Sequence, residues 1–378
     1  MKKSFALWRL TGCALMIALW GNAGAATRVL DCPLRDAPFS LESPLVDVLL
    51  SDAAKAVINQ HTSGGAAKIP AMIAGTRAPT FGAIVTLRSV FDQGFVTKPA
   101  DMPALDAALR ALPVTAADRA ARCARFDDDR PVIDRLPDGK PRVLLFGKIN
   151  GFRDDPSVNA ARAALEAMAA RNGWALVSTE KAGAMHPSVL RRFDVVVWNN
   201  NSGDLLTLTQ RRAFRSFIEG GGGFVGIHGA AGDPAYFWDW YADTLIGARF
   251  IGHPMEPQFQ DARIYLSPNA TGIDHGLPRE FKMNDEWYSF ARSPRATGAA
   301  VIASLDERSY RPGNGAYGGP PLSMGDDHPI AWSRCVGRGR SFYSAIGHRP
   351  ETYADANHVR LLEQAVRWAA VGSCQKGQ

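Results

Sequence analysis

The chain has no Cys-x-x-Cys pair, no His-x-x-x-His pair, and no Gly-x-Gly-x-x-Gly turn leading from a strand pattern into a helix pattern. These absences remove the local signatures of a structural zinc site and of a bound dinucleotide. An excess of one charge is also missing. Losing Lys2, Lys3 and Arg9 with an N-terminal leader takes the net charge from +6 to about +3, too little for a nucleic-acid-binding surface. The apolar run from Cys13 to Trp20 is too short for a stable membrane span, so none is expected once the leader is removed.

What is present begins with that leader. Met1-Lys2-Lys3 and Arg9 precede the apolar run and Ala23-Gly24-Ala25 follows it, so residues 1–25 read as a secretory signal peptide cut before Ala26. Leu10-Thr11-Gly12-Cys13 stands ahead of the apolar run instead of ending it, which argues against lipid attachment. The expected location is periplasmic or secreted. Four of the five cysteines, Cys32, Cys123, Cys335 and Cys374, survive cleavage and allow three pairings. In an oxidising compartment the sequence-local pairs Cys32–Cys123 and Cys335–Cys374 are the simplest.

Two units are expected at this length. Residues 26–135 carry helical punctuation only: Ser51-Asp52 opens a run at Ala53, leucines recur at helical spacing from Ala104 to Leu112, and Thr115-x-x-Asp118 resembles a capping box. They read as a small α-helical domain closed by Cys32 and Cys123, with His61 exposed in a Gly/Ser/Thr-rich loop. A polar linker runs from Asp127 to Gly139.

From Arg142 apolar runs alternate with amphipathic helices, the pattern of a parallel sheet covered on both faces. Strands are expected at Val143–Phe146, Trp174–Ser178, Asp194–Trp198 and Phe224–Ile227, and helices at Ser157–Asn172 and at Gln210–Glu219, the latter capped by Thr209. Tyr236–Tyr241 leads into a helix ending near Gly247. Arg263–Leu266 and Ala300–Leu305 are further strands, His328–Cys335 and Arg340–Ile346 form a hairpin, and a helix capped at Asp355 closes a second domain, residues 142–371. No internal repeat is visible.

Gly220 to Gly223 ends one helix, and Phe224 to Ala231 reads as a strand, a sharp elbow at His228 and a new helix. Such an elbow lifts one side chain over the carboxyl end of the sheet, where ligands of open α/β sheets sit. Loops at the same rim carry Arg153, Asp204 and Gly347-His348-Arg349-Pro350-Glu351. His228 and His348 are the expected acid–base pair, because an imidazole both takes and gives a proton near neutral pH. Glu351 is placed to orient the His348 ring. His253, Asp285, Glu286, Asp327 and His328 suit sugar hydroxyls or a divalent metal, with His228, His253 and His328 as candidate metal ligands. Trp287 and Tyr288, like Trp238 and Trp240, offer apolar faces matched to a sugar ring. A plainer reading stands beside each: a hydrogen-bonded structural histidine, a core aromatic, a solvated turn glutamate.

These stretches carry a resemblance. Residues 142–371 resemble the ThuA-like family of trehalose-utilisation proteins, through Gly221-Gly222-Gly223-Phe224-Val225-Gly226-Ile227-His228-Gly229-Ala230-Ala231, Asn284-Asp285-Glu286-Trp287-Tyr288-Ser289-Phe290, Met324-Gly325-Asp326-Asp327-His328-Pro329-Ile330-Ala331-Trp332 and Ala345-Ile346-Gly347-His348. The resemblance implies the class I glutamine amidotransferase-like, flavodoxin-like α/β fold, a mostly parallel sheet with helices on both faces. It also implies carbohydrate catabolism. Glutamine hydrolysis is excluded because the elbow residue is His228 and not Cys, although His348-Arg349-Pro350-Glu351 retains the superfamily's late His-Pro-Glu with one residue inserted. The expectation is a periplasmic enzyme acting on a disaccharide or 3-keto sugar by proton transfer, as an isomerase or a hydrolase/lyase. Its partner is a small-molecule carbohydrate, and a divalent metal and an oligomeric assembly are left open. The alternative is a non-catalytic sugar-binding module using the same rim.

Overall fold

Residues 143–146 are apolar on both sides of the pleat and form the buried part of the first strand. The computed structural model describes residues 30–267, 272–315, 319–372 and 374, so the expected leader lies outside the described residues. In chain order the strands are β1 (Arg142–Phe146), β2 (Ala175–Thr179), β3 (Val195–Asn199), β4 (Gly223–Ile227), β5 (Phe250–Gly252), β6 (Phe259–Leu266), β7 (Glu280–Glu286), β8 (Ser289–Phe290), β9 (Ala300–Asp306), β10 (Pro329–Val336) and β11 (Gly339–Ser344). Nine of them make one sheet in the order β2-β1-β3-β4-β11-β10-β9-β6-β7, and β5 pairs with β8. The half from β2 to β11 is parallel. From β11 outward every ladder is antiparallel, so the expected parallel sheet is extended at one edge.

The parallel strands are the most apolar because helices cover both their faces. Successive residues of β4 turn to opposite sides. Gly223 faces the helix Ala356–Ala370, where a Cβ would lie 2.3 Å from the Ala369 carbonyl oxygen, while Phe224 meets Phe214 of the helix Leu208–Glu219. Only glycine permits the first approach. Each fully buried Val, Leu, Ile or Phe in this core stabilises the fold by about 1.5–3 kcal/mol.

Residues 30–126 build a second core from Leu45, Ile58, Leu87, Val90 and Leu105 on short helices, with Phe39 from the segment ahead of them. Ser51 caps Asp52–Thr62, and Thr115 with Asp118 forms the capping box of Ala116–Cys123. Disulfides join Cys32 to Cys123 and Cys335 to Cys374, the sequence-local pairs. The linker is docked and not free: Asp127 pairs with Lys148 at 2.7 Å and accepts from the Ala182 amide, and Arg192 donates to the Ile133 carbonyl. No helix among the described residues is long and apolar enough to cross a membrane.

Four local expectations change. The helix at 208–219 is capped by Thr207, whose hydroxyl accepts from the Gln210 amide, because Thr209 is engaged by Asp31 of the N-terminal unit. The turn after Trp238 is π-helical, Trp240–Ile246, closed by Gly247 in the left-handed region. His61 lies in the last turn of Asp52–Thr62, half-buried, and not in the following loop. β7 was hidden because its exposed positions carry Glu280 and Lys282 at the sheet's edge.

Candidate active site

His228 follows β4 directly with φ +41°, a left-handed conformation rare outside glycine and one that turns the chain sharply enough to present the ring. The residue is buried, at 4 % exposure, so it is not a solvent-facing rim group. Its Nδ1 is 2.7 Å from the Ala345 carbonyl. A carbonyl only accepts, so Nδ1 carries hydrogen and the other nitrogen, Nε2, holds the lone pair in the neutral ring. That nitrogen faces the Tyr288 hydroxyl at 2.9 Å, His348 Nδ1 at 3.2 Å and Glu286 Oε2 at 3.4 Å.

Glu286, the last residue of β7, is the carboxylate of the cluster and only 1 % exposed. Its Oε2 lies 3.0 Å from His348 Nδ1, while Oε1 takes a hydrogen bond from Gln258 Nε2 at 2.5 Å and lies 3.1 Å from His253 Nδ1. Burial opposes its charge, but the His228 and His348 imidazoles outweigh burial and hold Glu286 well below the usual carboxylate range. The same contact acts in reverse on His348, whose burial would favour the neutral ring but whose pKa Glu286 raises. Asp285 is pushed up by burial; it accepts from the Gly347 and Arg349 amides and so fixes the loop that carries His348.

The pocket beside these groups is lined by Phe152, Asp154, Asn200, Asp233, Tyr288 and His348, among others. Phe152 is half-exposed and stacks on the His348 ring, with centroids 6.1 Å apart. Asp233 accepts from Ser202 Oγ at 2.5 Å and Gly203 N at 2.7 Å, and burial pushes its pKa up to about 7. The Ser157 hydroxyl ties Asp154 to the His348 carbonyl.

Residues 142–369 match the family model for ThuA, trehalose utilisation. The chain belongs to this family. No curated protein matches it closely. Among solved structures it is similar to a ThuA-like protein from Bacteroides uniformis, at 24% identity and a TM-score of 0.52, covering 63% of this chain and 95% of that one. A ThuA-like protein from Parabacteroides merdae matches at 18% identity and a TM-score of 0.43, covering 62% of this chain and 92% of that one. At such identities the first likeness establishes the shared α/β fold. The N-terminal unit lies outside the ThuA match.

Within the ThuA domain, the expected residues His228, His253, Glu286, Tyr288 and His348 come together, with Asp285 directly behind. Others do not. Glu351 is exposed and pairs with Arg349 at 3.3 Å, so Glu286 and not Glu351 is the carboxylate on His348. Arg153 is engaged by Asp155 and Glu180, and Asp204 by Arg211. Asp327 pairs with Arg295 at the surface. Trp287 is buried and donates to the Gln260 carbonyl, while Trp238 and Trp240 pack with Phe214; all three belong to the interior side of the fold.

His328 is fully buried but sits behind the cluster, its Nε2 2.8 Å from the Tyr288 carbonyl. Of the candidate metal ligands His228, His253 and His328, the structure brings only His228 into the group His228, Glu286 and His348, whose donor atoms all lie within 4.8 Å of one another. Sequence reasoning passed over Gln258, Phe152 and Asp233 as site residues. Phe152 stood in a rim loop already singled out, whereas Gln258 and Asp233 had no local signal.

Proposed function

We propose that this ThuA-family protein is an extracytoplasmic carbohydrate-catabolism enzyme that moves a proton in a disaccharide or 3-keto sugar, as an isomerase or a hydrolase/lyase. The observation that carries the reading is the Glu286–His348 contact at 3.0 Å. With Nδ1 turned to the carboxylate, His348 Nε2 is left without a hydrogen-bond partner among the described residues. A carboxylate behind a histidine fixes its orientation and steadies the imidazolium that forms when the free nitrogen takes a proton.

A hydrogen on a carbon next to a sugar ketone is the kind of proton such a base removes, and positioned acid–base catalysis of this sort is worth about 10²- to 10⁴-fold. Tyr288, whose hydroxyl meets His228, is the protic side chain beside the pocket and suits the role of donor to the sugar oxygen. Phe152 gives the half-exposed aromatic face against which a sugar ring packs. The family's association with trehalose utilisation supports the substrate class. Two disulfides suit an oxidising compartment.

The test is to incubate the purified chain with a panel of disaccharides and their 3-keto forms in D2O, with products followed by mass spectrometry. Deuterium uptake or a new product from one substrate, lost in His348→Ala, is expected. Saturable binding with neither turnover nor exchange makes the protein the sugar-binding module instead, and an absence of binding across the panel removes the carbohydrate reading.

A further inference from the structure

We infer that His228 Nε2, His348 Nδ1 and Glu286 Oε2 form a binding site for one divalent first-row transition cation. These atoms make a triangle with edges of 3.2, 3.4 and 3.0 Å. Donors held at about 2.1 Å from a tetrahedral or octahedral ion are themselves about 3.0–3.4 Å apart. A cation just off the plane of the triangle thus meets all three without moving them. Two imidazoles and one carboxylate on a single face are the donor set of zinc and non-haem iron sites, which keep their other positions open. Magnesium and calcium prefer all-oxygen surroundings, which this cluster does not offer.

The surroundings are those a cation site requires. Ala345 O fixes His228 so that Nε2 presents its lone pair. Gln258 and His253 engage Oε1 of Glu286, leaving Oε2 toward the histidines. Groups that orient ligands in this way are half of a metal site's construction. The Tyr288 hydroxyl also meets His228 Nε2, at 2.9 Å, and its hydrogen would turn away from a lone pair given to a cation. His348 reaches the pocket, which supplies a route of entry.

The inference rests on the same pocket as the proposed function and deepens it. A cation there binds the oxygens of a keto sugar and polarises the ketone, which acidifies the neighbouring carbon. With its Nδ1 lone pair on the cation, His348 would carry its ring hydrogen on Nε2 and donate it to a sugar oxygen, whereas in the cation-free site the same nitrogen takes a proton.

The experiment strips the full chain with a chelator and titrates Zn2+ and Mg2+ by calorimetry, then records the absorption spectrum with Co2+. One Zn2+ per chain, binding far more tightly than Mg2+, is expected. Affinity should fall at least about 100-fold in Glu286→Gln and in His348→Ala. X-ray absorption of the zinc-loaded wild type should count two imidazoles, which keeps the test decisive if a variant misfolds. Zinc no tighter than magnesium, binding unchanged in Glu286→Gln, or a coordination shell without imidazole overturns the inference. None of these readouts uses a sugar, so a failure here leaves the proton-transfer reading standing, and a protein inert toward sugars leaves the cation site standing.

Discussion

Two imidazole–carboxylate pairs flank Tyr288, and they differ in a way residue types do not reveal. His348 faces Glu286 on one side, and His328 faces Glu307 at 2.7 Å on the other. Both nitrogens of His328 are consumed within the protein, Nδ1 by Glu307 and Tyr310 and Nε2 by the Tyr288 carbonyl. His348 keeps one nitrogen spare. The His328–Glu307 pair is a brace and the His348–Glu286 pair is equipped for chemistry, and Tyr288 couples them, since its backbone is held by His328 while its hydroxyl reaches His228. A third histidine, His358, also has an unpartnered Nε2, but its ring is hydrogen-bonded to the Thr352 carbonyl and to no carboxylate, and it has no exposure. A spare nitrogen therefore needs both a charge to orient it and a path to solvent before it can act.

The change that should break the comparison most severely is His348→Ala. Turnover on the true substrate should fall about 10²- to 10⁴-fold with the circular dichroism spectrum unchanged. Wild-type activity in that variant would make the Glu286 side as structural as the Glu307 side. Glu307→Ala is the mirror experiment. It strands buried His328 and should cost about 3 kcal/mol in chemical denaturation, while the folded fraction keeps kcat within a few-fold. A stable protein with lost turnover would exchange the two roles.

His358 sharpens the contrast through pH. Burial depresses its pKa from 6.5 to about 4, so the unfolded chain takes up a proton across that window while the folded chain does not. Stability should be full above pH 6.5 and decline as pH falls toward about 4, by on the order of 3 kcal/mol. His358→Phe should flatten that part of the curve in equilibrium unfolding, and an unchanged slope would mean that other groups carry it. The smallest effect concerns the N-terminal unit. Phe81 meets Phe152 edge-on, and Phe152 stacks on His348. Phe81→Ala should cost about 1 kcal/mol of stability and shift the acid limb of the pH–rate profile slightly; a profile superimposable on the wild type would separate the N-terminal unit from the site.

Much of this arrangement was legible beforehand, for identifiable reasons. The strands β1, β3 and β4 are buried on both faces and therefore read as continuous apolar runs. The elbow announced His228 because glycines crowd it, and the helix caps at Ser51, Thr115 and Asp355 follow from short polar side chains ahead of helical periodicity. Glu351 was misassigned because closeness in sequence stood in for closeness in space: the turn at 350–354 carries it outward, while β7 brings Glu286 in from the sheet's far edge. Trp287 was misjudged through alternation. Extended backbone sends neighbouring side chains to opposite sides, so Glu286 and Tyr288 face the cluster and Trp287 does not.

The sheet order has a consequence for the history of each molecule as it is made. Within the sheet, β11 is the one strand that joins the parallel half, ending at β4, to the antiparallel half, beginning at β10. It is also the last strand among the described residues. Until residues 339–344 are available, His228 and Glu286 belong to two sub-sheets with no ladder between them. Pairings so distant in sequence are slow to form. The cluster is thus complete only in a chain whose last strand has joined the two halves of the sheet.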